Sequence, residues 1–285
     1  MKKIALIGVE NSHAPAFARM IKNNPDKYGD IEIIGVYSYD GSAAAKMVAD
    51  GLAPMAANTP TYFLDKVDGI INTARHGDYH YEYSMPYIKS GVPMFIDKPF
   101  CITRHNAIEM ITEAKKHGSL LCGGSDLRFS PEMAALKEEI AAGVFGKIES
   151  ASMSAPVNMS NPYGNFFFYS GHLVQMLLTM FGLPETVYAS AREKAVTVMC
   201  HYAEFEVVMH YISRHTYSIT VYGENETRYT LLTDRSEPLL DEFCDIIRHG
   251  KMAQTYEDLI APVFLMDAIY LSYSTGTEQR VKLVR

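Results

Sequence analysis

The fold of this chain is decided near its start by "KKIALIGVENSH", Lys2 to His13. The apolar run ends at Gly8, and the following "APAFARMIKN" carries apolar residues at helical spacing. This pattern predicts a strand, a tight turn and a helix. A dinucleotide-binding turn at this place reads G-x-G-x-x-G. Only its first glycine is present, because Glu10 and His13 occupy the other two places.

The rest of the first half alternates short apolar strands with helices. Thr103 is a plausible N-cap of the last helix, and Gly118 is placed to end it. This alternation predicts right-handed βαβ units and a parallel sheet that is covered on both faces. Predicted strands are 31–38, 68–73, 92–97 and 119–124, and predicted helices are 41–51, 79–90 and 103–118.

After Gly124 the pattern becomes β-rich, and neighbouring strands without long crossovers favour an antiparallel sheet. We therefore place a domain boundary there, with residues 1–124 binding a dinucleotide and 125–285 binding substrate and forming oligomers. The last long helix is allowed to pack back on the first domain. Predicted strands are 147–156, 185–193, 203–213, 217–223, 227–233 and 280–284, and predicted helices are 131–142, 171–182, 238–250 and 256–276.

Composition excludes several classes of protein. The chain has 285 residues, 48% of them hydrophobic, and a net charge of -7 without a basic run, so nucleic acid is not expected as a partner. No apolar stretch approaches the ~20 residues that span a bilayer, and the start lacks the pattern of a signal peptide. The four cysteines are scattered, which favours reduced thiols over disulfides or zinc. We expect a soluble, cytoplasmic protein with no membrane partner.

The segment "FIDKPF", Phe95 to Phe100, carries an acid-Lys-Pro signature after a strand. It resembles the signature of the glucose-fructose oxidoreductase and inositol dehydrogenase (Gfo/Idh/MocA) family. The resemblance covers essentially the whole chain, because further segments agree in order and spacing: "INTARHGDYH" (71–80), "SDLRFSPEMAALKEEIAAGVFGKI" (125–148), "SGHLVQMLLTMFG" (170–182) and "TYEDLIAPVFLMDAIYLSYSTGTEQRVKL" (255–283).

The resemblance implies an α/β architecture of two domains. The first is an N-terminal Rossmann domain with a parallel sheet, and the second is a C-terminal α+β domain with a large, mostly antiparallel open sheet. It also implies NAD or NADP as cofactor and oxidation of sugars or polyols at the domain cleft. Since an uncovered sheet face exposes apolar side chains, we expect a homodimer or homotetramer through the C-terminal sheet.

Lys98 is the first candidate catalytic residue. A lysine at the carboxyl end of a parallel strand lies where open α/β sheets bind ligands, and its ammonium group could orient the nicotinamide or the substrate oxygen. Pro99 fixes the following turn, with a cis peptide as the resemblance implies. The alternative is a surface lysine paired with Asp97, an interaction of ~0–1 kcal/mol.

His172 is the second candidate, because the resemblance puts the family's catalytic histidine on it. At the start of a helix its pKa would be lowered, which suits a neutral imidazole that accepts an alcohol proton. The family usually carries Asp one turn earlier and often three residues later, where this chain has Phe168 and Gln175. Either Tyr169 or Asp126 replaces the carboxylate, or the chemistry is not ordinary dehydrogenation. A histidine that only caps the helix is the remaining alternative.

The remaining site residues concern substrate, metal and cofactor. Arg128 resembles the family's junction arginine, and with Asp126 and His172 it is predicted to bind substrate. His76 and His80 have the H-x-x-x-H spacing of a metal site, but no third acidic ligand is evident, so we expect no metal. We predict that the cofactor is bound by Gly8, Glu10, Asn11, Ser12, His13, Ser38, Asp40, Asn72, His76, His80, Asp97 and Lys98.

Details of the cofactor site follow from helix and loop chemistry. A helix N-terminus binds phosphate without glycines, Asn11 can donate to it, and Ser12 is a good N-cap. Glu10 opposes the pyrophosphate unless its carboxylate points away. Asp40 could bind the ribose or lie in a solvated turn. Because no arginine follows to hold a 2′-phosphate, NAD is slightly favoured over NADP.

Three functions are compatible with these residues. The favoured one is an NAD(P)-dependent oxidoreductase that acts on a sugar, polyol or related hydroxylated molecule. The second is a nucleotide- or sugar-binding regulatory protein that kept the fold and lost turnover, motivated by Phe168, Gln175 and the missing glycines. The third is a lyase or hydrolase that recycles its NAD within each turnover.

Overall fold

The computed structural model describes residues 1–283. The chain forms two compact units. The first consists of Met1–Gly124 with Ser236–Ile260, and the second of Ser125–Arg235 with the described residues from Ala261 onward. Positions 284 and 285, where the last predicted strand and the predicted second domain end, lie outside the described residues.

The elements are numbered in chain order. The strands are β1 (Lys2–Ile7), β2 (Ile31–Tyr37), β3 (Gly69–Asn72), β4 (Met94–Ile96), β5 (Leu121–Gly123), β6 (Ile148–Pro156), β7 (Thr186–Arg192), β8 (Ala195–His201), β9 (Glu206–Ile212), β10 (Ser218–Gly223), β11 (Thr227–Leu231) and β12 (Gln279–Arg280). The helices are α1 (His13–Asn23), α2 (Pro25–Tyr28), α3 (Gly41–Ala49), α4 (Gly77–Lys89), α5 (Arg104–His117), α6 (Pro131–Ala141), α7 (Phe166–Phe181), α8 (Glu237–His249) and α9 (Tyr256–Thr275). Among residues 1–283, no helix is long and apolar enough to cross a membrane.

The sheet of the first unit is parallel, with strand order β2-β1-β3-β4-β5. The short strands β3, β4 and β5 consist entirely of buried residues, as expected for a sheet covered on both faces. Thr103 caps α5 by accepting a hydrogen bond from the Asn106 N–H. The predicted Rossmann-type fold is confirmed. Its strand order reverses between β1 and β3, so the loops after these strands flank the position where such sheets bind ligands.

Helix α8 belongs to the first unit, although its residues lie within the predicted second domain, 125–285. The apolar side of α8 packs on β3, where a Cβ on Gly69 would lie 2.8 Å from the Phe243 ring. Polar contacts extend this packing, because Lys27 Nζ lies 2.8 Å from Asp241 and Arg248 Nε lies 2.8 Å from Asp30. Contacts distant in sequence therefore determine which unit this helix joins.

The second unit contains a seven-stranded sheet of order β11-β10-β6-β9-β8-β7-β12. Its neighbours are antiparallel except β6 and β9, so the predicted mostly antiparallel sheet is confirmed. Strand β8 is not among the predicted strands. Its signal is an alternation of period two, since Val196 and Val198 are buried while Thr197 and Met199 are exposed.

One face of this sheet is covered by helices. The Tyr211 hydroxyl donates to the Ser170 carbonyl on α7 at 3.2 Å, and its ring packs edge-on against Phe166. On the same side, the Ser272 hydroxyl of α9 accepts a hydrogen bond from the Ala189 N–H at 2.8 Å. Helix α7, which contains His172, therefore packs on the buried apolar face of the seven-stranded sheet.

Candidate cofactor and catalytic sites

The turn after β1 depends on Gly8, which has φ +70°. A Cβ on Gly8 would lie 2.4 Å from the backbone nitrogen and Cα of Ala74 in the loop after β3. This separation is far too short for non-bonded atoms, so only glycine fits. Gly8 therefore keeps the role of the first glycine in a dinucleotide-binding turn, which is the tight turn with positive φ, and it also allows the loop after β3 to approach closely.

Glu10 occupies the second glycine place and links three strand ends. Its Oε2 accepts a hydrogen bond from the Ser38 hydroxyl at 2.6 Å, and its Oε1 accepts one from the Arg75 N–H at 3.0 Å. These partners follow β2 and β3, while Glu10 follows β1. Both oxygens of Glu10 are therefore bound by donors of the protein itself.

The start of α1 has no side-chain cap within the described residues. Ser12 holds the N-cap position, but its backbone is already helical, and its own N–H donates to Asn11 Oδ1 at 2.7 Å. The predicted capping by Ser12 is therefore wrong. A helix N-terminus of this kind can bind a phosphate. A cavity of about 260 Å³ adjoins it, lined by Val9, Glu10, Asn11, Ser12, Pro15, Arg19, Ala43, Lys46, Met47 and Asp50.

Asp97 joins α1 to the end of β4. Its buried carboxylate lies 2.9 Å from His13 Nδ1 and 3.2 Å from Asn11 Nδ2, and it accepts the Lys98 N–H at 2.8 Å. Burial by itself raises the pKa of the Asp97 carboxyl, but His13 and Lys98 outweigh burial and hold that pKa below its usual range. The residues after β1 and after β4 thus form one hydrogen-bonded structure. The Lys98–Pro99 peptide is cis, as the resemblance implies.

His80 lies in the first helical turn of α4 and contacts the segment that follows β4. Its Nδ1 lies 2.5 Å from the Pro99 carbonyl oxygen. Burial lowers the pKa of this fully buried ring. A neutral His80 therefore donates from Nδ1–H to Pro99. His80 thus helps to fix the turn that begins at Lys98.

His76 and Asn72 also have protein partners. His76 caps α4, because its Nδ1 accepts the Asp78 N–H at 3.2 Å. The Asn72 amide group is buried and donates to Ser84 Oγ at 3.0 Å. Within residues 1–283, no group of three His, Cys, Asp or Glu side chains is arranged to hold a metal ion.

The end of β2 places Asp40 at the N-cap of α3. Asp40 Oδ1 accepts hydrogen bonds from the N–H and hydroxyl of Ser42, at 3.0 Å and 2.6 Å. These bonds lower the pKa of the Asp40 carboxyl. Asp40 therefore has a structural role as a helix cap, and its predicted contact with a ribose stays a prediction.

His172 lies in the second unit, six residues after the start of α7. The prediction of a terminal position is wrong, because the helix already begins at Phe166. A dipole effect confined to the first turn therefore does not apply to this ring. His172 Nδ1 lies 2.7 Å from Ser125 Oγ and 3.8 Å from Asp126 Oδ1, and all three residues are buried.

The surroundings of His172 are aromatic. The Tyr169 and Tyr217 rings lie 6.4 Å and 5.5 Å from its ring centroid. Burial, together with the charge of Asp126, raises the pKa of Tyr217. Phe168, at the place of the family's Asp, is buried and packs edge-on against Tyr169 at 4.7 Å. The carboxylate nearest to His172 Nδ1 among the described ion pairs is thus Asp126, from the segment after β5.

Ser125 is a site residue that the sequence analysis missed. A serine before Asp126 has no distinctive spacing relative to His172, 47 residues further along the chain. Arg128, which follows in the short 3₁₀ helix Asp126–Phe129, lies with its guanidinium 4.2 Å from the centre of the Phe129 ring. The structure therefore brings Ser125, Asp126 and His172 together.

A cavity of about 440 Å³ also lies in the second unit, beside Tyr169. This volume is within the range of ~300–1,000 Å³ that is typical of small-molecule sites. Its wall combines hydroxyl, amide and charged groups with two rings. The lining residues are Pro156, Val157, Asn158, Met159, Ser160, Tyr169, Glu193, Lys194, Ser213 and His215.

Comparisons with known proteins agree with this architecture. Residues 2–124 match the family described as "Oxidoreductase family, NAD-binding Rossmann fold". The "Uncharacterized oxidoreductase YhhX" of Escherichia coli (strain K12) is 26% identical over 153 residues, 47% of this chain and 44% of the relative. The "D-glucoside 3-dehydrogenase" of the same organism is 25% identical over 120 residues, 42% of this chain and 34% of the relative. The chain thus matches less than half the length of these two relatives.

A solved structure is similar over nearly the full length. The crystal structure of myo-inositol 2-dehydrogenase from Lactobacillus plantarum has a TM-score of 0.84 and 15% identity, with 99% of each chain covered. At this identity the similarity shows the fold. Together with the family match, it extends the shared architecture to both units. The family match itself covers residues 2–124, so this segment is similar to the NAD-binding Rossmann domain of the Gfo/Idh/MocA oxidoreductases.

Proposed function

We propose that the protein is an NAD(P)-dependent oxidoreductase that transfers a hydride between nicotinamide and a hydroxyl or carbonyl group of a sugar, polyol or related small molecule. The observation that carries this proposal is the buried His172 ring, whose Nδ1 lies 2.7 Å from Ser125 Oγ. Because Nδ1 of His172 is engaged by Ser125, the ring exchanges protons through Nε2. Besides the cofactor, the reaction requires a group that exchanges a proton with the alcohol.

The residues of the first unit fit a dinucleotide. The uncapped start of α1 and the Asn11 side chain are suited to the pyrophosphate, and the close approach at Gly8 preserves the turn. Both carboxylate oxygens of Glu10 already accept hydrogen bonds, from the Ser38 hydroxyl and the Arg75 N–H, and these donors offset part of its negative charge. The negative charge of Asp40 after β2 favours the ribose hydroxyl of NAD over the 2′-phosphate of NADP.

When bound, the nicotinamide supplies the hydride acceptor for oxidation and the hydride donor for reduction. In oxidation, the substrate hydroxyl gives its proton to His172 Nε2. The hydrogen on the same carbon leaves with its bonding electron pair, so the C–O single bond becomes a carbonyl. Lys98 orients the substrate oxygen or the nicotinamide, and Tyr169 assists His172.

The cavity beside Tyr169 suits the proposed substrate class, and Tyr169, whose ring centroid lies 6.4 Å from that of His172, connects it to the proposed base, which does not itself line the cavity. The hydroxyl groups of a polyhydroxylated molecule can bind the hydroxyl, amide and charged side chains of the cavity wall. Its apolar C–H faces can pack on the rings of the wall. The substrate contacts of Arg128 and Asp126 stay predictions. A similar protein, by its name, acts on D-glucosides, and another on myo-inositol.

The test begins with cofactor binding. NADH and NADPH are titrated into the protein while nicotinamide fluorescence is recorded, and we expect binding with a preference for NADH. Sugars and polyols are then screened for reduction of NAD. Absence of binding at millimolar cofactor, or binding with no turnover of any polyhydroxylated substrate, would contradict the proposal and favour a regulatory protein. NAD-dependent turnover without net NADH would favour a lyase or hydrolase.

Two variants test the assigned residues. His172→Ala should lower kcat by on the order of a hundredfold or more, because a positioned acid–base group contributes that much. Lys98→Ala should also lower kcat, with NADH still bound. His105→Ala is the control, since this histidine lies on α5 with its side chain 86% exposed. Equal activity of His172→Ala and His105→Ala would contradict the assignment.

We also propose that the protein forms a homodimer or homotetramer through the uncovered face of the second sheet. One row of cross-strand neighbours crosses that face: Tyr188, Met199, Val208, Ser152, Thr220 and Tyr229. Tyr188, Met199 and Tyr229 are 43%, 38% and 61% exposed. Large exposed apolar patches typically mark interaction surfaces, and a flat sheet face can pair with its own copy.

A further inference from the structure

We propose that Ser125 and Asp126 position the His172 imidazole in one proton state. Ser125 accepts a hydrogen bond from His172 Nδ1–H and directs its own hydroxyl hydrogen to Asp126, so that Nε2 is the proton-accepting nitrogen. The catalytic meaning of this arrangement rests on the proposed oxidoreductase function. Both are positioning residues, because they act through His172, and Asp126 thereby has a role other than direct substrate contact.

The donors and acceptors around Ser125 Oγ lead to this assignment. A hydroxyl has one hydrogen and two acceptor lone pairs. One lone pair accepts the Leu127 N–H at 3.2 Å. The remaining lone pair and the hydrogen face two neighbours, His172 Nδ1 at 2.7 Å and Asp126 Oδ1 at 3.5 Å.

The carboxylate decides between the two possible arrangements. If the Ser125 hydrogen pointed to Nδ1, a lone pair of Oγ would face the Asp126 oxygen, and two acceptors would repel each other. If the hydrogen points to Asp126, Nδ1 carries the proton and donates to Oγ, and every contact joins a donor to an acceptor. The 3.5 Å contact is longer than a typical O–H···O bond, so Asp126 acts mainly through its charge.

Charge and burial strengthen this preference. Asp126 Oδ1 lies 3.8 Å from His172 Nδ1 and both side chains are almost fully buried, so water screens their interaction weakly. The negative charge favours a proton on Nδ1, which faces it. It also stabilises the imidazolium that forms when Nε2 accepts a second proton.

This arrangement replaces the family's usual carboxylate. Phe168 stands at that place and is buried among aromatic rings, with Tyr163 at 5.7 Å and Tyr169 at 4.7 Å. A phenyl ring cannot fix an imidazole tautomer. The chain instead supplies the carboxylate from the residues after β5, with Ser125 between it and the ring.

The experiment measures the His172 tautomer by ¹⁵N NMR of the full-length protein labelled at histidine ring nitrogens. The chain has 10 histidines, and His172 is identified as the signal lost in His172→Gln. We expect a protonated Nδ1 and an unprotonated Nε2 at neutral pH. In Ser125→Ala the ratio of Nδ1–H to Nε2–H tautomer should fall by roughly tenfold, the effect of losing one hydrogen bond.

Further variants separate positioning from a loss of structure. Ser125→Thr keeps the hydroxyl and should restore the wild-type tautomer, while Asp126→Asn should shift it as Ser125→Ala does. Ser170→Ala is the matched control, a buried serine on α7 whose hydroxyl bonds to the Met266 sulfur, and it should change nothing. An Nε2–H tautomer in the wild type, or an unchanged tautomer in Ser125→Ala, would overturn the proposal.

An activity measurement connects the tautomer to catalysis. Once a substrate is found, Ser125→Ala should lower kcat on the order of tenfold to a hundredfold, with KM nearly unchanged; this is the range found when a residue that orients a metal-bound histidine is lost. The NMR measurement does not depend on enzymatic activity. The tautomer of His172 can therefore be tested even if the protein oxidises no sugar or polyol. Retention of wild-type kcat in Ser125→Ala would contradict the catalytic meaning alone.

Discussion

Single residues show how this chain builds a dinucleotide-binding turn with one glycine. Gly8 keeps the close approach of two backbones. Glu10 and His13 occupy the other glycine places, and their side chains bind Ser38, the Arg75 N–H and Asp97. In a G-x-G-x-x-G turn, three small glycines allow the backbone to turn tightly. In this chain, hydrogen bonds between the strand ends hold the turn after β1 in place of two of those glycines.

Gly8→Ala tests the close approach, with Gly118→Ala as control. Both glycines have φ near +70°, at +70° and +69°, but a Cβ on Gly118 meets nothing within 4 Å. The backbone penalty of roughly 1–3 kcal/mol applies to both. Gly8→Ala should lose more of the free energy of unfolding, because its Cβ also collides with Ala74. Urea unfolding of the two variants measures the difference, and equal losses would contradict the packing argument.

His80 gives the protein a pH-dependent stability. Because burial lowers its pKa in the folded state below that of the unfolded chain, unfolding takes up a proton below pH ~6.5. Its contribution to stability is full above that pH and falls as the pH decreases, by up to ~1.4 kcal/mol per pH unit.

The measurement compares His80→Asn with the wild type between pH 5 and 7, a range chosen from the ordinary histidine pKa of ~6.5. The asparagine amide retains a donor but does not titrate in this range, so the variant should lose stability less steeply on acidification. His105→Asn is the control, because its side chain is 86% exposed. Parallel stability curves for all three proteins would show that His80 titrates normally.

Among the elements, α8 shows how tertiary contacts override position in the sequence. Its pattern predicts a helix at 238–250, and the helix spans Glu237–His249. The sequence did not show which unit it joins, because an amphipathic helix can pack its apolar side on any apolar layer. Phe243 and Ile247 fill the space left open by Gly69.

Phe243→Ala should therefore destabilise the first unit by about 3–5 kcal/mol, the usual cost of removing a buried phenyl ring. Since NADH binding requires the folded first unit, the variant should lose NADH binding at a lower denaturant concentration and a lower temperature than the wild type. Asp245→Ala, an exposed residue of the same helix, is the control. Thermal unfolding followed by NADH fluorescence measures both variants, and similar midpoints would place α8 outside the cooperative first unit.

Helix α7, which carries His172, starts earlier than its apolar pattern predicts. The apolar periodicity of "GHLVQMLLTMFG" predicts a start at Gly171, but the helix begins at Phe166. The preceding aromatic residues suit a strand or a helix by composition. Packing of Phe166 against Tyr211 and Tyr273 decides for the helix. This shift moves His172 into the helix interior, beside Ser125.

At the scale of the whole molecule, the uncovered face of the second sheet gives a prediction about assembly. Light scattering at micromolar concentration should give a mass of at least twice the 31.9 kDa of one chain. Met199→Glu places a charge in the middle of the exposed row and should shift the mass toward a single chain. Val144→Glu is the control, because this residue is 41% exposed and lies outside the sheet. A wild-type mass of one chain would contradict the proposed oligomer.

The sequence by itself determined the two kinds of sheet, most helices and the place of Lys98 just after β4. It put His172 at the start of a helix, whereas the residue lies in the interior of α7. Periodicity and turn residues are local properties, so they are readable in the chain, and the acid-Lys-Pro segment carried a resemblance that the family match of residues 2–124 agrees with. Only the tertiary structure decided the unit that α8 joins, the partners of Glu10 and Asp97, and the contact of Ser125 with His172. These depend on distances between residues far apart in the chain, and such distances are fixed by packing of the folded core.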